Sequence, residues 1–386
     1  MTRIAGDWIA APATQAVFDA LEGGGHRAFF VGGCVRNALL GQPVTDVDIS
    51  TDAVPEEVTR LAEKAGLKPV PTGIAHGTVT VVSGGEGFEV TTFRRDVETD
   101  GRRAVVAFST DKLDDARRRD FTINALYADR AGSVLDPLGQ GLQDLAAGRI
   151  RFIEDAEARI REDYLRILRF FRFHAWYGHA EDGIDPDALS PISENSAGLG
   201  SLSKERIGHE MMRLLAAPNP APSLAAMQAT GVLARVLPGA DARLVAPLVH
   251  GETFLGPAPD PIRRLAALGG QDASGALKLS KADARRLAVL REALEGGAGP
   301  GELGYRLGVV PACDVLFLRA ALAGVLPDPE EVEAARRGAE ARFPLRAADL
   351  MDRHSGPALG RKLAELETDW IASGFALSRA ELLALG

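Results

Sequence analysis

The chain has 386 residues, 46% hydrophobic and 25% charged, so it is long enough to bury a core without disulfide cross-links. Its net charge of −9, from 44 basic and 53 acidic residues, argues against nonspecific coating of nucleic acid, because that binding neutralises phosphates with basic side chains. The two cysteines, Cys34 and Cys313, match no paired metal-ligand spacing. The N-terminal segment is unlike a signal peptide, and no apolar run approaches the ~20 residues that span a bilayer. We therefore expect a cytoplasmic protein without a zinc site or a membrane segment.

Strand signals are concentrated in residues 27–135. There, RAFFVGG is predicted to be a strand, CVRNALLG a short helix, and VTDVDIST a second strand. DAVPEEVTRLAEKAG has the pattern of a helix with acids in its first turn, and GTVTVVS and GFEVTTF are predicted to be two strands joined by a glycine-rich turn. From about residue 142 onward the periodicity is helical, interrupted by turns at 218–223, 256–261 and 296–301. The expected fold class is α+β, an N-terminal α/β unit followed by an all-helical part.

The first motif with chemical meaning is the glycine turn between the first predicted strand and helix. Gly32 and Gly33 let backbone N–H groups approach a phosphate, and Arg36 adds a charged donor on the first helical turn. Taken alone, such a turn is more often an ordinary connection, so the pattern by itself leaves phosphate binding open.

Three acids follow. In a strand, Asp46 and Asp48 would point to the same face, where their charges repel unless a divalent cation bridges them. The pair is therefore a candidate metal site for phosphoryl transfer. Glu89 lies within an otherwise apolar predicted strand, where it either pairs with Arg94 or Arg95 or joins the two aspartates. We count Glu89 with them as a candidate catalytic residue.

Two arginine-rich segments come next. The run 117–119 precedes Asp120 and an apolar stretch; it indicates either a site for an anion or a solvated helix start with its apolar residues packed inward. Residues 161–173 read as one helix, in which Asp163 and Arg166 would form a local i,i+3 pair while Arg169 and Arg172 follow at the same spacing. Without other information this second segment is an ordinary amphipathic helix.

Together these segments resemble one family. GGCVRN with DVDIST, RRDFTINAL, DPLGQGLQDL, REDYLRILRFFRF and SKERIGHE have the order and spacing of the five motifs of class II tRNA nucleotidyltransferases. These are the CCA-adding enzymes, with bacterial poly(A) polymerases as close relatives, within the DNA polymerase beta nucleotidyltransferase superfamily. The dense match covers residues 28–210. In this chain Asn37 stands where the family commonly has Asp, and Cys34 replaces a small residue.

The resemblance implies a nucleotidyltransferase head at 1–140, a helical neck at 141–215, and a helical body and tail at 216–386 that binds tRNA. It implies Mg²⁺ as cofactor, CTP and ATP as substrates, the tRNA 3′ end as acceptor, and no protein partner. The resemblance also implies a role for each candidate residue. Gly32, Gly33 and Arg36 would bind the triphosphate, and Asp46 and Asp48 would bind the metal. Arg119 and Asp120 would contact the ribose and phosphates, Asp163 and Arg166 would read the base, and Arg169 and Arg172 would support the nucleotide or the reading pair.

A protein pair can select C and A by hydrogen bonding alone. Cytosine and adenine each present a ring acceptor beside an amino donor, which one Arg donor and one Asp acceptor satisfy. Uracil and guanine present the reverse pattern and would leave two buried groups unpaired, at roughly 1–3 kcal/mol each. We therefore expect no nucleic-acid template to be needed.

Three functions remain open at this point: a CCA-adding enzyme, a poly(A) polymerase or an enzyme adding only part of CCA, and a non-catalytic RNA-binding relative. The segment from Arg94 to Arg119 resembles a flexible loop found in enzymes that add the whole of CCA, which favours the first. The acidic chain lacks the strongly basic flanks expected of a poly(A) polymerase. Because both aspartates of the motif are present, the binding-only alternative is disfavoured.

Overall fold

The computed structural model describes residues 2–74, 77–100, 103–179 and 183–386. The chain divides into two compact units. The first comprises Met1–Glu210 with Pro222–Val236, and the second comprises Met211–Ala221 with Leu237–Gly386. Within the described ranges, none of the helices combines the length and apolar character that crossing a bilayer requires.

The first unit contains one large sheet and a separate hairpin. The strands are β1 (Ala28–Val31), β2 (Asp48–Thr51), β3 (Lys68–Gly73), β4 (Thr78–Ser83), β5 (Glu86–Thr92), β6 (Arg94–Asp100), β7 (Arg103–Phe108), β8 (Tyr127–Ala128) and β9 (Val134–Leu135). The sheet order is β3-β4-β5-β2-β1-β8-β9, with β2 and β5 parallel and the other neighbours antiparallel. Within the described part of the chain, strands β6 and β7 pair only with each other.

Helices lie before and between the strands and occupy most of the chain after them. Up to residue 215 they are α1 (Asp7–Ala10), α2 (Pro12–Gly23), α3 (Gly33–Leu39), α4 (Pro55–Lys64), α5 (Lys112–Arg117), α6 (Gly141–Ala146), α7 (Ala156–Glu162), α8 (Leu165–Tyr177), α9 (Pro186–Asn195) and α10 (Lys204–Leu215). The later ones are α11 (Ala221–Ala229), α12 (Val232–Val236), α13 (Val245–Leu255), α14 (Pro261–Leu268), α15 (Ala273–Ala276), α16 (Lys281–Glu295), α17 (Pro300–Leu307), α18 (Val309–Ala323), α19 (Pro329–Glu340), α20 (Gly356–Ala372) and α21 (Arg379–Leu385).

The α+β prediction is confirmed, because every named strand ends by Leu135 and helices follow. The local sequence patterns also predicted the positions of several strands and helices. The predicted strand at RAFFV, the short helix after it, and the β4–β5 hairpin all form, the last around a turn in which Gly84 and Gly85 have φ values of 59° and 88°. The segment from Arg94 to Arg119 forms the β6–β7 hairpin and α5; its residues 101–102 lie outside the described residues.

Two element predictions were wrong. The strand expected to carry both aspartates begins only at Asp48, so Asp46 lies outside it, in the segment that precedes β2. The single helix expected over 161–173 is two helices, α7 and α8, separated at Asp163, whose φ of −151° and ψ of 105° are extended. At the break, the Asp163 carboxylate accepts a hydrogen bond from the N–H of Leu165, the first residue of α8, and so satisfies one of the N–H groups left free at the start of a helix.

An aromatic cluster connects the sheet region to α8. Phe121 packs on Phe152, Phe170 and Phe173, with ring centroids 5.0–6.2 Å apart. Phe121 is fully buried, and Asp120 immediately precedes it. Because packing fixes Phe121, it also fixes the direction of the Asp120 side chain, which points toward the arginines of α8.

The second unit is helical and includes a close helix pair. At Gly304 in α17 and Gly338 in α19, an added Cβ would overlap the backbone of the facing helix, at Ala335 and Gly301 respectively. Glycine is therefore required at both positions for the axes to approach.

The same unit buries an ionic network around Arg264. Arg264 donates to Glu252 and to the carbonyl oxygens of Leu215 and Ala217 at the end of α10. With 1% of its surface exposed, Arg264 is paired with both charged and neutral acceptors.

Candidate active site

The glycine turn of the first unit has the backbone geometry that its sequence requires. Gly32 has φ 71° and ψ −119°, a conformation that side chains rarely adopt, and it precedes α3. A Cβ at Gly32 would lie 3.4 Å from Arg119 Nη1 and 3.6 Å from the Asn124 carbonyl oxygen. The turn thus brings the backbone directly against the RRDFTINAL segment.

The three predicted acids lie near one another at the start of β2. Asp48 and Glu89 are opposite each other in the parallel β2–β5 register. Asp46 is exposed, and so is Glu89, which points from the solvated face of β5 and carries no burial cost. The expectation of a carboxylate inside an apolar sheet interior was therefore wrong for Glu89. Its proximity to Asp48 fits the second of the two alternatives, in which it joins the aspartates.

Electrostatics distinguish Asp48 within this group. Burial, together with the negative charges of Glu89 and Asp46, raises the pKa of Asp48 to about 6, against the lowering effect of Arg119. A carboxyl in such surroundings gains by binding a cation, which relieves the repulsion.

Arg119 is held by a buried carboxylate. It donates to Asp115 Oδ2 at 3.0 Å and contacts Ser50 at 3.4 Å, beside the acidic group. Asp115 is fully buried and also pairs with Arg118 and with the Tyr127 hydroxyl. Of the two alternatives for this arginine run, the solvated helix start was wrong, because the run lies at the end of α5 and Arg118 and Arg119 pair with Asp115.

Asp120 connects the sheet region to α8. Its carboxylate accepts from the Phe121 N–H, from Asn124 Nδ2 and, at 2.6–2.7 Å, from Arg169. Burial by itself raises the pKa of Asp120, but Arg169 and these hydrogen bonds outweigh it and hold the pKa below its usual value. On α10, Glu210 accepts from Arg172 at 2.5 Å and lies 3.9 Å from Arg169.

Arg36 is buried without a carboxylate in direct contact among the described residues. Its guanidinium donates to Asn37 Oδ1, to Asn124 Oδ1 and to the Tyr177 hydroxyl, and it stacks on the Tyr177 ring at 4.1 Å. Burial lowers the pKa of Arg36. All three hydrogen-bond partners are neutral, so the positive charge stays available to an anion. Asn37, the departure from the family pattern, supplies one of them.

Asp163 and Arg166 do not pair with each other. Asp163 Oδ2 accepts from Arg206 Nη2 at 2.7 Å, whereas Arg166 donates to Glu162 at 2.5 Å and to the backbone carbonyls of Arg159 and Arg118. The i,i+3 ion pair predicted from helical spacing was wrong, because the chain leaves the helix at Asp163.

The donor set suits a hard divalent cation. Asp46 and Asp48 offer carboxylate oxygens, and burial with the charges of Glu89 and Asp46 raises the pKa of Asp48. A nucleotide's phosphates would complete the coordination. Among the residues that the structure describes, no cluster of three His, Cys, Asp or Glu is arranged as a metal site, which leaves Glu89 beside the pair rather than in a three-ligand set.

Sequence reasoning missed several supporting residues. Asp115, Tyr177, Asn124, Glu210 and Arg206 each hold a predicted site residue in place. For three of them the sequence held a signal, because Asn124 lies in RRDFTINAL and both Arg206 and Glu210 lie in SKERIGHE.

Comparisons with known proteins bear on the family of this chain. Residues 28–151 match the family model described as Poly A polymerase head domain, and residues 183–244 match one described as Probable RNA and SrmB- binding site of polymerase A. The chain is 34% identical over 374 residues to the mitochondrial CCA tRNA nucleotidyltransferase 1 of Danio rerio, covering 91% of this chain and 85% of that protein. It is 42% identical over 228 residues to the CCA-adding enzyme of Leuconostoc citreum, covering 58% of this chain and 54% of that enzyme.

A solved structure supports the same relationship across both units. The CCA-adding enzyme of Bacillus stearothermophilus in complex with CTP superposes with a TM-score of 0.72 at 30% identity, covering 94% of this chain and 93% of that one. Similarity over nearly the whole chain, together with the site described above, leads to one conclusion. The chain belongs to the class II nucleotidyltransferase family of the CCA-adding enzymes and poly(A) polymerases.

Proposed function

We propose that this protein adds CCA to the 3′ end of tRNA, using CTP and ATP and no nucleic-acid template. The observation that carries the proposal is a grouping of three features in the first unit. The charge of Arg119 acts on Asp48, the Arg119 side chain lies against Gly32, and Asp120 pairs with Arg169 of α8. Relatives that align over most of this chain are named for CCA addition, which supports the same activity.

The residues divide the chemistry between them. Enzymes of this family generally use divalent metals, and here we propose Mg²⁺, held by Asp46 and Asp48, which when bound would neutralise charge on the triphosphate. Arg36 and the backbone at Gly32 and Gly33 would bind the phosphates, since the hydrogen bonds that the structure describes for the Arg36 guanidinium all go to neutral groups. Glu89, exposed beside Asp48, is proposed to assist the attacking hydroxyl.

The nucleotide is proposed to lie between these groups and α8. Arg119 and Asp120 would contact its ribose and phosphates, and Asp163 with Arg166 would read its base. Arg169 and Arg172 would support that arrangement, because Asp120 and Glu210 already hold both guanidinium groups against the Phe173 ring. One acceptor and one donor then match cytosine and adenine and reject uracil and guanine.

Conservative changes to the aspartates test the catalytic assignment. Asp46→Asn and Asp48→Asn should each lower the rate of nucleotide addition about 100-fold or more with the fold intact, because positioning and charge neutralisation dominate phosphoryl transfer. Asp19→Asn, an exposed acid in α2 of the same unit, is the matched control. Normal turnover by a folded double variant would refute the assignment.

A second test concerns base choice. Asp163→Asn combined with Arg166→Asp should change which nucleotide is accepted, since the amide and relocated carboxylate can pair with uracil or guanine. Competition among the four nucleotides on one tRNA primer measures it. If the folded variant kept its preference for C and A, the proposal that Asp163 and Arg166 read the base would be refuted.

The match to a Poly A polymerase head domain makes polyadenylation the second candidate function. The substrate separates the two candidates: we expect tRNA to be extended far better than an unstructured oligonucleotide, with binding that weakens as salt rises. Equal extension of both would favour polyadenylation. Sequencing the products from each nucleotide alone and from the mixture also separates complete CCA addition from partial addition.

We assign residues 1–140 as the catalytic head, 141–215 as the base-reading neck and 216–386 as the tRNA-binding body and tail. The proposed compartment is the cytoplasm, because Cys34 and Cys313 are both free thiols. Fluorescence microscopy of the tagged full chain would test the compartment.

A further inference from the structure

Arg206 holds the carboxylate that is proposed to read the base. It lies on the first turn of α10, 43 residues from Asp163 in sequence, and its Nη2 donates to Asp163 Oδ2 at 2.7 Å. The other oxygen of Asp163 accepts from the Leu165 N–H at 3.0 Å. Each carboxylate oxygen is therefore fixed by one donor, from two different elements, and each retains a lone pair.

The same face of α10 holds the neighbouring arginines. Glu210 follows Arg206 by one helical turn and pairs with Arg172 and Arg169. Arg166, in contrast, is bound to Glu162 and to backbone carbonyls, so it gives Asp163 no support. The orientation of the Asp163 carboxylate thus depends on Arg206 and on the Leu165 N–H.

We propose that Arg206 is a specificity-determining positioning residue, which orients Asp163 to accept from the amino group of cytosine or adenine. Without the guanidinium, the carboxylate keeps only its link to the Leu165 N–H and rotates about its side-chain bonds. The Asp163 carboxylate then accepts less well from cytosine or adenine, and it also discriminates less well against uracil and guanine. Since Arg206 is 37% exposed and Asp163 30% exposed, the pair lies where a ligand can reach it.

This inference rests on the proposed function, and it is tested by Arg206→Gln in the full chain. Each of CTP, ATP, UTP and GTP is offered to tRNA lacking its 3′ end, and kcat and KM are measured separately. We expect the preference for C and A over U and G to fall about ten- to hundredfold, the range for loss of one charged hydrogen bond, mainly through a higher KM for CTP and ATP. Arg206→Lys, which keeps the charge but loses the planar fork, should restore part of the preference.

Arg161→Gln is the matched control. Arg161 lies two residues before Asp163 but contacts Glu157 and Asn195, so loss of its charge should leave base preference unchanged. In an Asp163→Asn background, Arg206→Gln should add no further loss of preference, because the group it positions is already changed.

Two results would overturn the inference. One is an Arg206→Gln enzyme that is slower with all four nucleotides by the same factor and keeps its preference, which indicates structural bracing alone. The other is an equal loss of preference with Arg161→Gln. Failure of the proposed function is distinguishable, since the unmodified enzyme would then not add C and A to tRNA in the same assay.

Discussion

The buried carboxylate of Asp115 is predicted to be a major source of stability in the first unit. Asp115 is fully buried and accepts from Arg118 at 2.7 Å, Arg119 at 3.0 Å and the Tyr127 hydroxyl at 2.7 Å. Asp115→Asn keeps the volume but removes the charge and places an amide donor where only donors point. Breaking a buried ion pair from one side costs about 3–5 kcal/mol. Because both arginines keep some exposure, at 15% and 18%, we expect a loss of about 3 kcal/mol in the free energy of unfolding.

Urea denaturation followed by circular dichroism measures this loss. Glu57→Gln is the matched control, because its ion pair with Arg60 is exposed and should contribute nothing measurable. Nucleotide KM should rise at the same time in Asp115→Asn, since Arg119 loses its anchor. A difference below about 1 kcal/mol between Asp115→Asn and the unmodified protein would refute the account of a high-cost buried pair.

The pH dependence gives an independent check. Burial by itself raises the pKa of Asp115, but Arg119, Arg118 and the Tyr127 hydroxyl outweigh it and hold the pKa at about 2, below the ordinary value of 3.8. A carboxyl whose pKa is lowered on folding stabilises the folded state above its unfolded pKa, and that stabilisation disappears as the pH falls. The difference in free energy of unfolding between the unmodified protein and Asp115→Asn should therefore be constant from pH 7 to about 5 and shrink between about pH 4 and 2. A difference that stays constant through this range would contradict the pairing.

Three further outcomes are expected. Gly304→Ala should destabilise the second unit by about 1–3 kcal/mol through overlap with the Ala335 carbonyl oxygen, whereas Gly360→Ala, in open space within α20, should gain about 0.5–1 kcal/mol in the same urea titration. Cys34 should resist iodoacetamide at pH 8 until the protein is unfolded, because burial raises the pKa of its thiol to about 11. Rapid labelling of Cys34 in the folded protein, measured by mass spectrometry, would contradict this prediction. Arg264→Met should lower the melting temperature, since it removes one of the two arginines that pair with the buried Glu252 and takes the donor from the Leu215 and Ala217 carbonyl oxygens. An unchanged melting temperature would show that the network is dispensable.

Local structure and residue chemistry were largely determined by the sequence. The glycine turn at Gly32, the β4–β5 hairpin and the helix over α4 form where their patterns predict, because backbone preferences and short-range periodicity act within a few residues. The candidate groups for metal and phosphate binding were also recognisable, since Asp46, Asp48 and Arg36 have the required chemistry in any fold that brings them together.

The pairing of charges was decided only by the tertiary structure. Helical spacing offered Arg166 as the partner of Asp163, yet a donor 43 residues away, on α10, occupies that carboxylate. Asp120 likewise pairs with Arg169, 49 residues away. Several carboxylates and guanidinium groups in this chain could pair with similar Coulomb energy, so sequence alone does not rank the combinations. Packing of the helices fixes which charges meet, because the aromatic cluster around Phe121 and the break at Asp163 determine where each side chain points.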